Sequence, residues 1–202
     1  MRLRDAPGFF GKIPGNGDFV ARRLPRAFTD PWDAWLQAGI ADSQTRLGDA
    51  WLPVYLNSPI WRFALGAGVC GPQSWYGVMM PSVDRVSRCF PFTIAAGAGG
   101  GAMASGAGGV PSAAWYAELE ALALSALGAG FSLPGCDAAL AALPQALSVP
   151  GAEEQWLAQT VDFAGQALFW LCDGGGSAQP TRVTGPEAFT AALFADLLQA
   201  PI

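Results

Sequence analysis

Three side chains within one short segment, Asp84, Arg85 and Arg88, are the most suitable for chemistry in this sequence of 202 residues. A carboxylate beside guanidinium groups usually forms ion pairs, which lower its pKa and make it a poor general base at neutral pH. Pairing within the protein is therefore the favoured interpretation. One alternative is that Arg62, Arg85 or Arg88 pairs with a carboxylate or phosphate of a partner. Another is a hydrolase or transferase site built from Asp18, Asp84 and Arg88, which would show a carboxylate pKa raised toward neutrality.

A second cluster of chemically capable side chains is basic and lies near the N-terminus. Three arginines occur there within five positions, flanked by Phe19 and Phe28. A solvated loop is the simpler interpretation, but a mixture of arginine and aromatic residues is also typical of interaction hot spots, where guanidinium groups bind carboxylates or phosphates. Six residues are the candidates for contacting a partner: Arg22, Arg23, Arg26, Trp61, Arg62 and Arg88.

Several other chemistries are excluded by residue type and spacing. The sequence has no His, which removes the usual general base and the commonest zinc ligand. The four cysteines, Cys70, Cys89, Cys136 and Cys172, are too far apart for a C-x-x-C motif, and we expect buried thiols and no bound metal or cofactor. The glycines around Lys12 lack the spacing of a phosphate-binding loop, so they predict a turn.

Composition and charge limit the class of protein further. The chain is 51% hydrophobic with eight Trp and twelve Phe, which is typical of a folded domain and not of a disordered one. Residues 1–90 carry a net charge of +3 from ten basic and seven acidic side chains, whereas residues 91–202 carry −8. Because the chain has a single Lys and a net charge of −5, nucleic acid is not an expected partner.

The N-terminus lacks the apolar run of a signal peptide and no segment resembles a spanning helix, so a cytoplasmic location is expected.

Periodicity and turn residues predict an α+β fold, a mainly antiparallel central sheet flanked by helices in a single compact domain. Asp30 and Pro31 suggest the N-cap and first position of a long helix that Gly48 ends. Strands are predicted at 8–14, 60–65, 76–80, 90–96 and 167–172, and further helices at 49–56, 111–127, 137–143, 153–158 and 187–198. Residues 1–96 form the expected N-terminal core, 97–109 a Gly-rich loop, and 110–202 the remainder of the same domain.

Several spaced motifs lie within the first 96 residues. They are Gly8-Phe9-Phe10-Gly11-Lys12-Ile13-Pro14, Gly17-Asp18-Phe19-Val20, Arg22-Arg23-Leu24-Pro25, Trp32-Asp33-Ala34-Trp35-Leu36, Pro59-Ile60-Trp61-Arg62-Phe63 and Gly77-Val78-Met79-Met80-Pro81-Ser82-Val83-Asp84-Arg85-Val86. In this order they resemble the TagF (also called ImpM) family of type VI secretion-associated proteins. The second half of the chain matches that family only around Phe169 and Trp170 and in the final helix.

The resemblance implies a bacterial cytoplasmic accessory protein without enzymatic activity or cofactor. It also implies negative post-translational regulation of type VI secretion through binding of a forkhead-associated scaffold protein. No partner-binding residues are carried over by the resemblance. A regulatory binding module is thus the first hypothesis, the carboxylate and Arg enzyme the second, and a small-ligand sensor with a closed apolar cavity the third.

Overall fold

The computed structural model describes residues 6–98, 111–143, 164–171, 180–184 and 189–200. Within these residues, seven strands form one sheet in which every pair of neighbouring strands is antiparallel. The strand order is β2-β1-β5-β4-β3-β6-β7. Their bounds are β1 Gly8–Gly11, β2 Val20–Arg22, β3 Trp61–Leu65, β4 Trp75–Met80, β5 Phe92–Gly97, β6 Ala167–Trp170 and β7 Pro180–Thr184. The α+β class and the antiparallel sheet are confirmed.

Helices cover both faces of this sheet. Their bounds are α1 Arg26–Leu47, α2 Trp51–Leu56, α3 Ala113–Ser125, α4 Leu133–Ala142 and α5 Ala191–Leu198, with a 3₁₀ turn at Gly48–Ala50 before α2. In the described part of the chain no helix is both long enough and apolar enough to cross a membrane.

Alternation along the strands produces two cores, one on each face. In β3, Trp61 and Phe63 belong to the core under α1, α2 and α5, whereas Ala64 belongs to the core under α3 and α4. Strands β3, β4 and β5 are buried along their whole lengths, because helices cover both sides. This explains why these three segments have few charged residues.

The long helix α1 begins earlier than the sequence predicts. It starts at Arg26, so the prediction that Asp30 caps it with Pro31 in first position is wrong, and Pro31 lies inside it. Phe28 and Trp32 are both fully buried, and this packing keeps the turns on either side of Pro31 helical. The helix ends at Gly48, which has φ of 51° as the prediction requires.

The other boundaries differ from the predictions by a few residues, with local causes. Ser112 caps α3 as predicted, by accepting a hydrogen bond from the Trp115 N–H. Helix α4 starts four residues earlier than predicted, because Ser132 caps it in the same way. Gly97 is the last residue of β5, and α5 begins at Ala191 rather than at 187. The predicted helix at 153–158 and residues 99–109 of the Gly-rich segment lie outside the described residues.

Candidate functional site

Two loops meet at one end of the sheet because β1 and β4 are both antiparallel to β5, which lies between them. The carboxyl ends of β1 and β4 therefore lie at the same end of the sheet, on either side of β5. The first loop, residues 12–19, follows β1, and the second, residues 81–91, follows β4. The Arg85 N–H donates to the Asn16 carbonyl at 2.9 Å, and the Arg88 guanidinium donates to the Gly17 carbonyl. These two bonds join the loops into one unit.

Asp84 is the centre of this unit, and the residue is only 2% exposed. Its Oδ2 accepts from Lys12 Nζ at 3.0 Å and from Arg88 Nε at 2.6 Å. Its Oδ1 accepts the backbone N–H groups of Val86 at 3.0 Å and of Arg88 at 2.9 Å. Both oxygens therefore have two donors each.

These donors determine the ionisation of Asp84. Desolvation acts to raise its pKa, but the backbone N–H of Arg88, the Lys12 ammonium, the Arg88 guanidinium and the Val86 N–H together outweigh it. They hold the pKa well below its ordinary value. The carboxylate stays ionised and is a weak proton acceptor, so its chemistry is that of a structural anchor rather than a general base.

Further bonds give the second loop a defined shape. A β-bridge between Val83 and Cys89 closes it, and Ser87 at the tip has φ of 64°, in the left-handed region. Below the bridge, the Tyr55 hydroxyl of α2 donates to the Ser82 carbonyl at 2.9 Å and accepts the Ser82 N–H at 3.1 Å. The loop is thus fixed to a helix as well as to the first loop.

An aromatic cluster of Phe10, Phe19 and Phe90 lies beside the Lys12–Asp84 pair. The Phe19 ring stacks on Phe10 at 5.5 Å between centroids and meets Phe90 edge-on at 4.7 Å. Lys12 Nζ is 5.2 Å from the centre of the Phe19 ring, within cation–π range. Phe19 is thereby held in place although it is 47% exposed.

The outer side of the two loops combines apolar and basic groups, and we name the residues Phe19, Arg85, Val86 and Arg88 the loop surface. Val86 is 63% exposed, and both arginines are exposed. Half-exposed aromatic and aliphatic side chains beside guanidinium groups on a rigid support have the composition of a protein-binding hot spot. Asp18, from the proposed enzyme site, is also exposed here, next to Phe19.

The structure separates the six candidate partner-binding residues. Trp61 and Arg62 are 1% and 3% exposed, so neither side chain is available to a partner, which corrects their assignment to a surface. Arg62 instead holds α3 on the sheet, since Nε and Nη2 donate to the two carboxylate oxygens of Glu120 at 2.6 and 2.9 Å. Arg88 is exposed in the loop surface, but one side of its guanidinium is bound to Asp84.

The N-terminal arginines are exposed but have different surroundings. Arg23 pairs with Asp137 of α4 and donates to the Pro7 carbonyl, so it links β2 to the neighbouring helix. Arg22 and Arg26 are exposed. Arg22 lies at the end of β2 away from Phe19, because it pairs with Phe9 whereas Val20 pairs with Gly11. Arg26 is the first residue of α1.

The cysteines do not form a reactive or metal-binding group among the described residues. Cys70 is fully buried, and burial raises its pKa to about 12. Burial also raises the pKa of the Cys89 and Cys136 thiols, so thiolate is disfavoured at all three. In the same described ranges, no three side chains of Cys, Asp or Glu gather in a way that could hold a metal ion.

Sequence reasoning anticipated ion pairing of Asp84 but missed Lys12 as its partner, 72 positions away. It also missed a surface groove between the first loop and the connection of α3 to α4. The only sequence signal that these loop residues belong together was that Lys12, Phe19, Asp84 and Arg85 all lie in the motifs that carry the family resemblance.

The fold and this site define an α+β domain with a basic and apolar surface on two loops that are hydrogen-bonded to each other. The chain belongs to the TagF N-terminal domain family, described as type VI secretion system-associated, whose model matches residues 8–143. The match extends past residue 96 through α4, so the family assignment includes the helices on that face of the sheet.

A solved structure is similar to nearly the whole chain. It is the crystal structure of PA0076 from Pseudomonas aeruginosa PAO1, with a TM-score of 0.76 and 34% sequence identity. The similarity covers 95% of this chain and 93% of that one. No curated protein matches the chain.

Proposed function

We propose that this protein is a cytoplasmic accessory regulator that represses type VI secretion after translation by binding a forkhead-associated scaffold protein. Membership of a type VI secretion-associated family supports the link to type VI secretion. The observation that supports binding as the activity is the loop surface, where Phe19 and Val86 stay exposed beside Arg85 and Arg88. Apolar anchors with neighbouring guanidinium groups suit an acidic or phosphorylated protein surface.

The alternative enzyme built from Asp18, Asp84 and Arg88 lacks a supporting observation. A general base needs a pKa near the working pH, whereas Asp84 has a lowered pKa and four donors on its oxygens. Asp84 and the bound side of Arg88 are therefore assigned to positioning the loop surface. Arg22 and Arg26 remain candidates for a second basic contact, because they are exposed further along the same edge strand and the start of α1.

The test is a titration of the purified protein against the purified full-length scaffold at modest salt. Phe19→Ser with Val86→Ser removes the apolar anchors, and Arg22→Glu with Arg26→Glu reverses the second basic contact. We expect the apolar pair of changes to weaken binding about tenfold or more. We expect the charge reversal to slow association and to change its salt dependence.

Arg46→Glu is the charge control, since Arg46 is exposed at the end of α1 and belongs to no proposed contact, although it pairs with Asp42 of the same helix. Melting temperatures of all variants verify that they fold. Absence of binding by the parent protein would contradict the choice of partner. Equal binding by parent and Phe19→Ser/Val86→Ser would contradict the choice of surface.

A further inference from the structure

A groove of about 590 Å³ opens on the surface beside the loop surface. Residues 13–16 of the first loop form one wall. Residues 126–129 and 131–134, which run from the end of α3 into the first turn of α4, form the other. None of these residues is ionisable, and the volume lies within the range of pockets that hold ligands, about 300–1,000 Å³. The groove can therefore take one or more large apolar side chains.

The apolar character of the groove continues outside it. Leu127, in its wall, is 49% exposed, and Leu124, one helical turn earlier, is 53% exposed. Phe131 and Leu133 on the same wall are half-buried. Exposed apolar side chains that cluster around a concavity mark an interaction site more specifically than scattered ones.

A positive charge stands at one lip of the groove. Arg85 donates its backbone N–H to the carbonyl of Asn16, a wall residue. Its guanidinium Nη2 packs against Gly17, where an added Cβ would lie 3.4 Å away. Among the described residues no carboxylate pairs with this guanidinium, in contrast to those of Arg23, Arg62 and Arg88.

We propose that this groove binds a segment of a partner protein that carries a large apolar residue close to an anionic one. The apolar side chain fills the groove between the two walls, and the anionic group pairs with the Arg85 guanidinium. Because the lip adjoins the wall at Asn16, the two groups belong within about four residues of each other on an extended segment. The anion is a carboxylate or a phosphate, since a guanidinium binds both in the same bidentate way.

This inference rests on the proposed function only in taking the occupant to be protein. The test accordingly uses a probe other than the scaffold, a random peptide library displayed on phage and selected on the full-length protein. We expect the selected peptides to combine Asp or Glu with Leu, Ile, Met or Phe at this spacing. A synthetic peptide of the consensus, and the same peptide with phosphoserine in place of the acid, then separate carboxylate from phosphate as the preferred anion.

The groove can be filled without disturbing the fold at Gly15. No atom lies within 4 Å of a Cβ added there, and its backbone conformation is open to other residues. Gly15→Phe is expected to reduce affinity for the consensus peptide about tenfold or more, and Arg85→Glu by a similar factor. Ala34→Phe, which adds the same ring at an exposed position of α1, and Arg46→Glu are the matched controls with unchanged affinity.

Leu127→Glu serves as a second groove variant should Gly15→Phe fold poorly, since Leu127 is half-exposed in the opposite wall. Selection of peptides without an acidic residue, binding that survives the groove variants, or selection without any consensus would each overturn the proposal. Failure of the scaffold to bind the parent protein, with the consensus peptide still bound in the groove, would instead refute the proposed partner and leave the groove assignment standing.

Discussion

Lys12 and Asp84 form a buried ion pair with 3.0 Å between Nζ and Oδ2, although 72 positions separate them in the chain. The Lys12 residue is 7% exposed and the Asp84 residue 2%. A buried charge left without its partner is strongly destabilising, so this pair holds the two loops in one arrangement. The exposed side chains of Phe19 and Arg85 take their positions from that arrangement.

The Asp84 network predicts a specific loss of stability in acid. Its pKa is lowered in the folded protein below the ordinary value of 3.8, so its contribution is full above that value and is lost as the pH falls toward the folded pKa. Asp84→Asn lacks this contribution. We expect the difference in free energy of unfolding between parent and variant to shrink between about pH 5 and pH 2.

Urea denaturation over that range measures the difference. Asp49→Asn, at an exposed position in the 3₁₀ turn, should follow the parent at every pH. A parent-to-Asp84→Asn difference that stays constant with pH would show that the Asp84 carboxylate is not stabilised by folding.

The ion pair between buried Arg62 and half-buried Glu120 predicts that removing Arg62 alone costs more stability than replacing both partners. Arg62→Met leaves the Glu120 carboxylate against the sheet without its bidentate donor, and we expect a loss of about 3 kcal/mol. The double variant Arg62→Met/Glu120→Leu replaces the pair by apolar side chains and should regain most of that loss. Equal stability of single and double variants in chemical denaturation would contradict this account.

Helices α1 and α5 are in close contact at Gly39, where an added Cβ would lie 2.4 Å from the Cβ of Phe194. Alanine normally stabilises a helix interior relative to glycine by about 1 kcal/mol. Here Gly39→Ala forces the buried Phe194 to move, and we expect a net destabilisation of about 1–3 kcal/mol in urea denaturation. Gly15→Ala, in open space, should unfold like the parent. A stabilised Gly39→Ala would mean that the two helices separate easily.

The N-terminal arginines should separate into one structural and two surface residues. Arg23→Glu places a negative charge against Asp137 and removes the donor to the Pro7 carbonyl, at a cost of about 1 kcal/mol. Arg22→Glu, at an exposed strand end, should change stability by only a few tenths of a kcal/mol. Thermal unfolding of the two single variants compares them directly, and a larger effect of Arg22→Glu would reverse the assignment.

The fold was largely predictable because its signals are local. Strands β3, β4 and β5 follow apolar segments bounded by Gly and Pro, and Gly48 and Ser112 are helix-end residues whose effect does not depend on distant parts of the chain. Local signals failed where packing outweighs them. Pro31 predicts a helix start, yet buried Phe28 and Trp32 extend α1 five residues further back.

The sequence by itself determined the composition of the site, since Lys12, Phe19, Asp84 and Arg85 all belong to recognisable motifs. A carboxylate followed closely by two arginines already implied ion pairing. Only the tertiary structure decided how they combine. The order of β1, β5 and β4 brings loops 12–19 and 81–91 together, and the same packing buries Trp61 and Arg62. The groove beside Arg85 arises from residues more than a hundred positions apart. Contacts of this kind depend on which strands are neighbours in the sheet, and the local propensities of the residues do not determine the strand order.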